Sequence, residues 1–137
     1  MSPVLMIDAS VWVDLFRDGS GNRRARLQSV IGDQDLVLSR LTEMELLQGT
    51  RDEREWGLLS SYLSSQEYVE PSVSTWRDSA RIFFDLRRLG HTIRSPLDCC
   101  IAQSALEAEA LLLHRDRDFE SIAKIRPLQQ MFLDWES

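Results

Sequence analysis

The sequence predicts an α/β domain with a central, mainly parallel sheet, and three observations carry that prediction. Val4–Ile7 (VLMI) is an unbroken apolar run that stops at a charge, Asp8. Residues 110–113 (ALLL) form a second such run, closely followed by Asp116. Between the two lie segments whose apolar residues recur at helical spacing. Short continuous apolar runs suit strands buried on both faces, and strands alternating with helices argue for βαβ units.

The elements follow in order. After the first strand, residues 11–16 read as a short helix ending in a Gly/Ser/Asn loop at 18–22. Residues 23–31 give a second helix stopped by Gly32, and 36–38 a second strand. Thr42, with Glu45 one turn on, spells a capping box for a third helix, with Leu46 and Leu47 on its apolar face and Gly49 as its stop. Trp56, Leu59 and Leu63 mark a fourth helix, and Tyr68 with Val69 a third strand. The helix from Ser74 to Gly90 is expected to bury a stripe of Trp76, Ala80, Phe83, Phe84 and Leu89. Ser95-Pro96 is a cap followed by proline in the first turn, opening a helix over Pro96–Ala108 that packs through Ile101, Ala105 and Ala108. A short helix to Lys124 and an edge strand at 131–133 complete the chain.

The composition is that of an ordinary globular protein, 43% hydrophobic and 28% charged, and a length of 137 residues suggests one domain over 1–137. No apolar run approaches the ~20 residues a bilayer span needs, and the N-terminus lacks a signal-peptide pattern. A cytoplasmic protein without a membrane partner is expected. Cys99 and Cys100 are sequence neighbours that point in different directions on a helix, so they read as reduced, packed residues. The net charge of −6 argues against nucleic-acid binding by overall charge. The arginines are clustered, however, at 23–26, at 87–94 and at Arg115 and Arg117. An acidic site that holds divalent cations would let the metals supply the positive charge for a phosphate substrate.

Such a site is within reach of the topology. Asp8 and Asp116 both follow strands, so in one parallel sheet both emerge at the carboxyl edge. Glu45 and Asp98 each sit in the first turn of an expected helix, and those helix starts face the same edge. Each acid also has a structural alternative: a helix cap for Asp8, the capping box for Glu45, the macrodipole for Asp98, and a cap of the last short helix for Asp116 and Asp118. Together they repel, and hard cations such as Mg²⁺ or Mn²⁺ make sense of the grouping.

These residues carry a family resemblance. Asp8-Ala9-Ser10, Glu45-Leu-Leu-Gln-Gly49, Asp98-Cys-Cys-Ile-Ala102 and Asp116-Arg-Asp-Phe119 are similar, in order and spacing along the whole chain, to the successive motifs of the PIN-domain family, in particular the VapC-type toxins of toxin–antitoxin pairs. The resemblance implies a three-layer α/β/α domain and a Mg²⁺-dependent endoribonuclease, with Mn²⁺ as a substitute ion. It implies metal-binding, catalytic acids at Asp8, Glu45, Asp98 and Asp116, with Asp118 as a further, more variable acid. It implies attack on the phosphorus by metal-activated water. It implies an RNA substrate, a small antitoxin partner and a homodimer. Ser10 matches a small hydroxyl residue beside the first acid. His114 departs from the Thr or Ser the family often has before the fourth acid, and its imidazole is expected near a phosphate or a metal-bound water. Arg115 and Arg117 are expected to contact phosphate. The alternatives are a non-catalytic PIN-like RNA- or protein-binding module and a Mg²⁺-dependent phosphotransferase. Against the second, Asp8-Ala9-Ser10 lacks the second acid of the Asp-x-Asp such a site uses after its first strand, and the only lysine, Lys124, is poorly placed. Trp12 and Trp56 are the aromatics expected to meet partners or to pack in the core.

Overall fold

A computed structural model describes residues 4–136. The expected domain bounds, 1–137, reach slightly beyond that stretch at both ends. In chain order the elements are β1 (Val4–Ile7), α1 (Ala9–Phe16), α2 (Asn22–Ile31), β2 (Asp35–Ser39), α3 (Arg40–Gln48), α4 (Glu53–Ser64), β3 (Tyr68–Val69), α5 (Val73–Arg88), α6 (Pro96–Ala108), β4 (Ala110–His114), α7 (Asp118–Ala123) and β5 (Gln130–Phe132). The strands form one sheet in the order β3-β2-β1-β4-β5, and every pairing is parallel.

The alternation of side chains along β1 and β4 builds the three layers. Met6 and Leu112 face a core made with Ile82 and Leu86 of α5, Ile101 and Ala105 of α6, and Phe119 and Ile122 of α7. Ile7 and Leu113 face the opposite core, with Val11 and Trp12 of α1, Leu27 of α2, Leu46 of α3 and Leu63 of α4. Successive residues of a strand point to opposite faces, so a sheet covered on both sides needs apolar residues at every position. VLMI and ALLL are such runs. Among the described residues no helix is long and apolar enough to cross a membrane.

Two elements differ from the sequence reading. The third helix begins at Arg40, where the Ser39 hydroxyl accepts from the Leu41 amide at 3.1 Å. Thr42 is therefore inside the helix and fully buried. The Thr42–Glu45 capping box does not form, and the Glu45 carboxylate is not used as a cap. On α5 the buried stripe is Thr75, Ser79, Ile82 and Leu86, while Trp76 is 51% and Leu89 62% exposed. The buried hydroxyls are satisfied: Ser79 donates to the Thr75 carbonyl at 2.6 Å, and Thr75 donates to Glu107 of α6 at 2.7 Å. Small, hydrogen-bonded residues let α5 lie close against α6; of the expected stripe Phe83 packs against the core, while Trp76, Phe84 and Leu89 fall on the outer side.

At the centre of the sheet the chain leaves β1 toward β2 on one side, while β4 lies on the other. Such a switch in strand order opens a crevice beyond the carboxyl ends of the strands, and ligands bind there in open α/β sheets.

Candidate active site

Asp8 is the first residue past β1, and its amide donates to the Leu113 carbonyl of β4 at 2.9 Å. This bond fixes it at the crevice between the two central strands. It caps α1: the Ser10 amide and hydroxyl donate to Asp8 Oδ2 at 3.0 and 2.6 Å. The Ser10 hydroxyl also accepts from the Arg115 amide at 2.9 Å. One side chain thus ties the β1–α1 turn to the segment after β4 and fixes the Asp8 carboxylate. Burial pushes the Asp8 carboxyl up, and the Ser10 bonds oppose that shift.

Asp98 stands in the first turn of α6, which Ser95 caps by accepting from the Leu97 amide at 3.2 Å, with Pro96 at the start. Asp116 and Asp118 follow β4 closely, and the Asp118 amide donates to Asp116 Oδ1 at 3.0 Å. Asp98, Asp116 and Asp118 each offer a carboxylate oxygen, all within 4.8 Å of one another. Burial, then Asp116, Asp8, Asp118 and Glu45 in turn, pushes the Asp98 carboxyl up to about 7. Glu45 is likewise pushed up to about 7, by burial and then by Asp8. Its Oε1 is buried with no hydrogen-bond partner. The five acids expected from the sequence therefore feel one another at one edge of the sheet.

The other expected residues are placed differently. His114 is fully buried, with its ring against Phe119 and Phe132. Its Nδ1 accepts from the Asp116 amide at 3.2 Å, so the hydrogen sits on Nε2, which donates to Gln130 Oε1 at 2.6 Å. Both nitrogens are used inside the fold and burial holds the ring neutral, which leaves no contact to phosphate or a metal-bound water. His114 instead holds the backbone that presents Asp116. Arg115 turns to Asp14 (2.7 Å), to the Leu133 carbonyl and over the Phe132 ring. Arg117 pairs with Glu120 and lies 3.7 Å over the Phe132 ring. The apolar surface of Phe132 and nearby polar partners draw both guanidinium groups away from the acids. The arginine that does reach the acids is Arg94, whose Nη2 lies 3.4 Å from Asp116 and whose Nε lies 3.8 Å from Asp118. The sequence places it only in the arginine cluster at 87–94, not among the site residues. Its signal is its place just before the Ser95-Pro96 helix start, which brings upstream residues to the same edge as Asp98.

A family model described as the PIN domain matches residues 5–125. The chain belongs to the PIN-domain family. Its domain is 30% identical over 129 residues to VapC ribonuclease Mb1587 of Mycobacterium bovis and to ribonuclease VapC11 of Mycobacterium tuberculosis, covering 92% of this chain and 96% of each relative. The PIN fold is also that of VapBC2 from Rickettsia felis, solved bound to a promoter DNA fragment, with a TM-score of 0.76 at 18% identity over 96% of this chain and 99% of that one. VapBC-1 from nontypeable Haemophilus influenzae gives 0.75 at 21% identity, over 98% and 99%. At these identities the solved structures speak to the fold.

The donor set of this PIN domain fits a divalent cation. It offers several carboxylate oxygens, the hard ligands that Mg²⁺ and Mn²⁺ take, and the orphaned Glu45 Oε1 is a buried acceptor with capacity to spare. Carboxylates crowded enough to push Asp98 and Glu45 up to about 7 carry more negative charge than the loosely held Arg94 offsets.

Proposed function

We propose that this PIN domain is a Mg²⁺-dependent endoribonuclease acting as the toxin of a toxin–antitoxin pair. The observation that carries the reading is the convergence of Asp8, Glu45, Asp98, Asp116 and Asp118, with Asp98 and Glu45 pushed up to about 7 by burial and by their acidic neighbours. The kinship with VapC ribonucleases names the substrate class. Asp98, Asp116 and Asp118 would be the principal cation ligands, with Asp8 and Glu45 completing the acidic wall. A bound cation would neutralise charge on the phosphate and lower the pKa of a water so that, once deprotonated, it attacks phosphorus.

The chain does the rest. Ser10 orients Asp8, and His114 and the Asp118 amide fix the loop that presents Asp116. Glu45 Oε1 has no competing partner and accepts the proton from the attacking water. The cytoplasm, which keeps Cys99 and Cys100 reduced, suits both free thiols.

The antitoxin lies in a groove of about 1170 Å³ lined by Trp12, Phe16, Glu45, Leu58, Leu59 and Tyr62. Typical small-molecule pockets enclose roughly 300–1,000 Å³, and a long open groove with aromatic walls suits a polypeptide segment. Glu45 belongs to both groove and acidic wall, so a segment seated there also reaches the site. Trp56 lies exposed on α4, while Trp12 packs in the core. A second copy of the chain covers the outer stripe of α5, where Val73, Trp76 and Phe84 stand exposed.

The test is induced expression of wild type and of Asp8→Asn in a host lacking the antitoxin. Growth arrest with fragmented RNA in the wild type, absent in the variant, is the expected result. Equal arrest by both proteins at equal abundance overturns the reading.

A further inference from the structure

We propose that Arg94 is a built-in counter-ion of the acidic cluster that is released to bind a substrate phosphate once a divalent cation takes its place. The loop before α6 is pinned on both sides of this residue. Ile93 is buried in the core, and Ser95 is fixed as the cap of α6. The Arg94 amide faces Asp118 Oδ2 at 3.4 Å, which sets the base of the side chain over the site. The side chain is 80% exposed.

Its contacts are loose. The shortest separations from Asp116 and Asp118, 3.4 and 3.8 Å, exceed the roughly 2.7–2.9 Å of a tight charge-assisted bond. A paired but exposed arginine is held weakly and leaves readily when its carboxylates acquire a stronger cation. The other two arginines of this edge are committed elsewhere: Arg115 to Asp14 and Arg117 to Glu120. Arg94 alone of these has its planar fork of donors at the mouth of the cluster, the geometry that suits a phosphate. In the metal-free chain it lowers the repulsion among the acids; with the cation bound it adds positive charge beside the scissile group. The metal half of this inference stands on the acidic cluster, and the phosphate half rests on the nuclease reading.

The test compares wild type, Arg94→Ala and Arg94→Lys. Calorimetric titration with Mn²⁺, without RNA, reads the first half. Arg94→Ala is expected to bind Mn²⁺ about two- to fivefold more tightly, since an exposed competing charge is removed, and Arg94→Lys to stay near wild type. Anisotropy of a labelled random single-stranded RNA reads the second half, in Ca²⁺ and in EDTA, with RNA integrity checked on a gel. Ca²⁺ is expected to strengthen wild-type binding more than that of Arg94→Ala, with the variant's salt slope in Ca²⁺ shallower by about 0.7. Equal Mn²⁺ affinity in wild type and Arg94→Ala overturns the counter-ion role. An equal Ca²⁺ gain overturns the phosphate role. A wild type that binds no Mn²⁺ brings down the metal-nuclease reading and this inference with it, whereas Mn²⁺ binding without any RNA binding refutes the phosphate half and leaves the counter-ion role standing.

Discussion

Replacing Asp98 by Asn is expected to stabilise the metal-free protein at neutral and higher pH. Asp98 is held up from an ordinary 3.8 to about 7, by burial first and by Asp116, Asp8, Asp118 and Glu45 after it. A carboxyl whose folded pKa lies above its unfolded value keeps more protons folded than unfolded between the two. Stability therefore falls as pH rises from about 4 to about 7 and levels off beyond. At ~1.4 kcal/mol per pH unit the window is worth about 4 kcal/mol, and partial exposure of the side chain brings this to about 2–3 kcal/mol. Asparagine keeps the size and removes the charge. In EDTA at about pH 8 the variant should melt roughly 5–10 °C above wild type, and at about pH 4 the difference should nearly vanish. Thermal denaturation followed by circular dichroism across that range measures it. A variant less stable than wild type at both pH values would refute the charge-crowding argument.

Other substitutions test the supporting structure. Glu109 closes the tight connection from α6 to β4 in a left-handed conformation, φ 53°, so Glu109→Gly should add about 0.5–1 kcal/mol in urea denaturation. His114→Phe keeps the ring and leaves Gln130 and the Asp116 amide unpartnered, a loss of about 2–4 kcal/mol by the same assay. Trp76→Glu places a charge on the outer stripe of α5, and light scattering should then report a shift from dimer toward monomer at unchanged melting temperature.

Much of this was legible from the chain. The two apolar runs, each continuous because both faces of the sheet are covered, located the central strands and the edge where Asp8 and Asp116 emerge. Ser95-Pro96 placed the start of α6, and with it Asp98. Helix ends marked by Gly32 and Gly90 were also visible, since both adopt positive φ. What the sequence hid was direction. Along α5 the large aromatics suggested the buried face, yet of these Phe83 meets the core, and Thr75 and Ser79, with hydroxyls satisfied by Glu107 of α6 and by the helix backbone, pack closer. At α3 two cap residues competed, Ser39 and Thr42, and the pairing of β2 with its neighbours favoured the earlier one. The Arg117–Glu120 pair is an i,i+3 contact within reach of sequence reasoning, but nothing local shows that Arg115 would turn to Asp14 of α1 or that both guanidinium groups would lie over Phe132, which β5 brings beside β4. Arg94 was hidden for the converse reason: its partners lie more than twenty residues along the chain.

The most direct test of the metal-nuclease claim is cleavage of a mixed RNA pool by purified protein, with Mg²⁺, Mn²⁺ or EDTA, beside Asp98→Asn. Internal cleavage with either ion, none in EDTA, and loss of cleavage in the variant despite its greater stability are the expected results. Cleavage that persists in EDTA, or in folded Asp98→Asn at the wild-type rate, would contradict that claim.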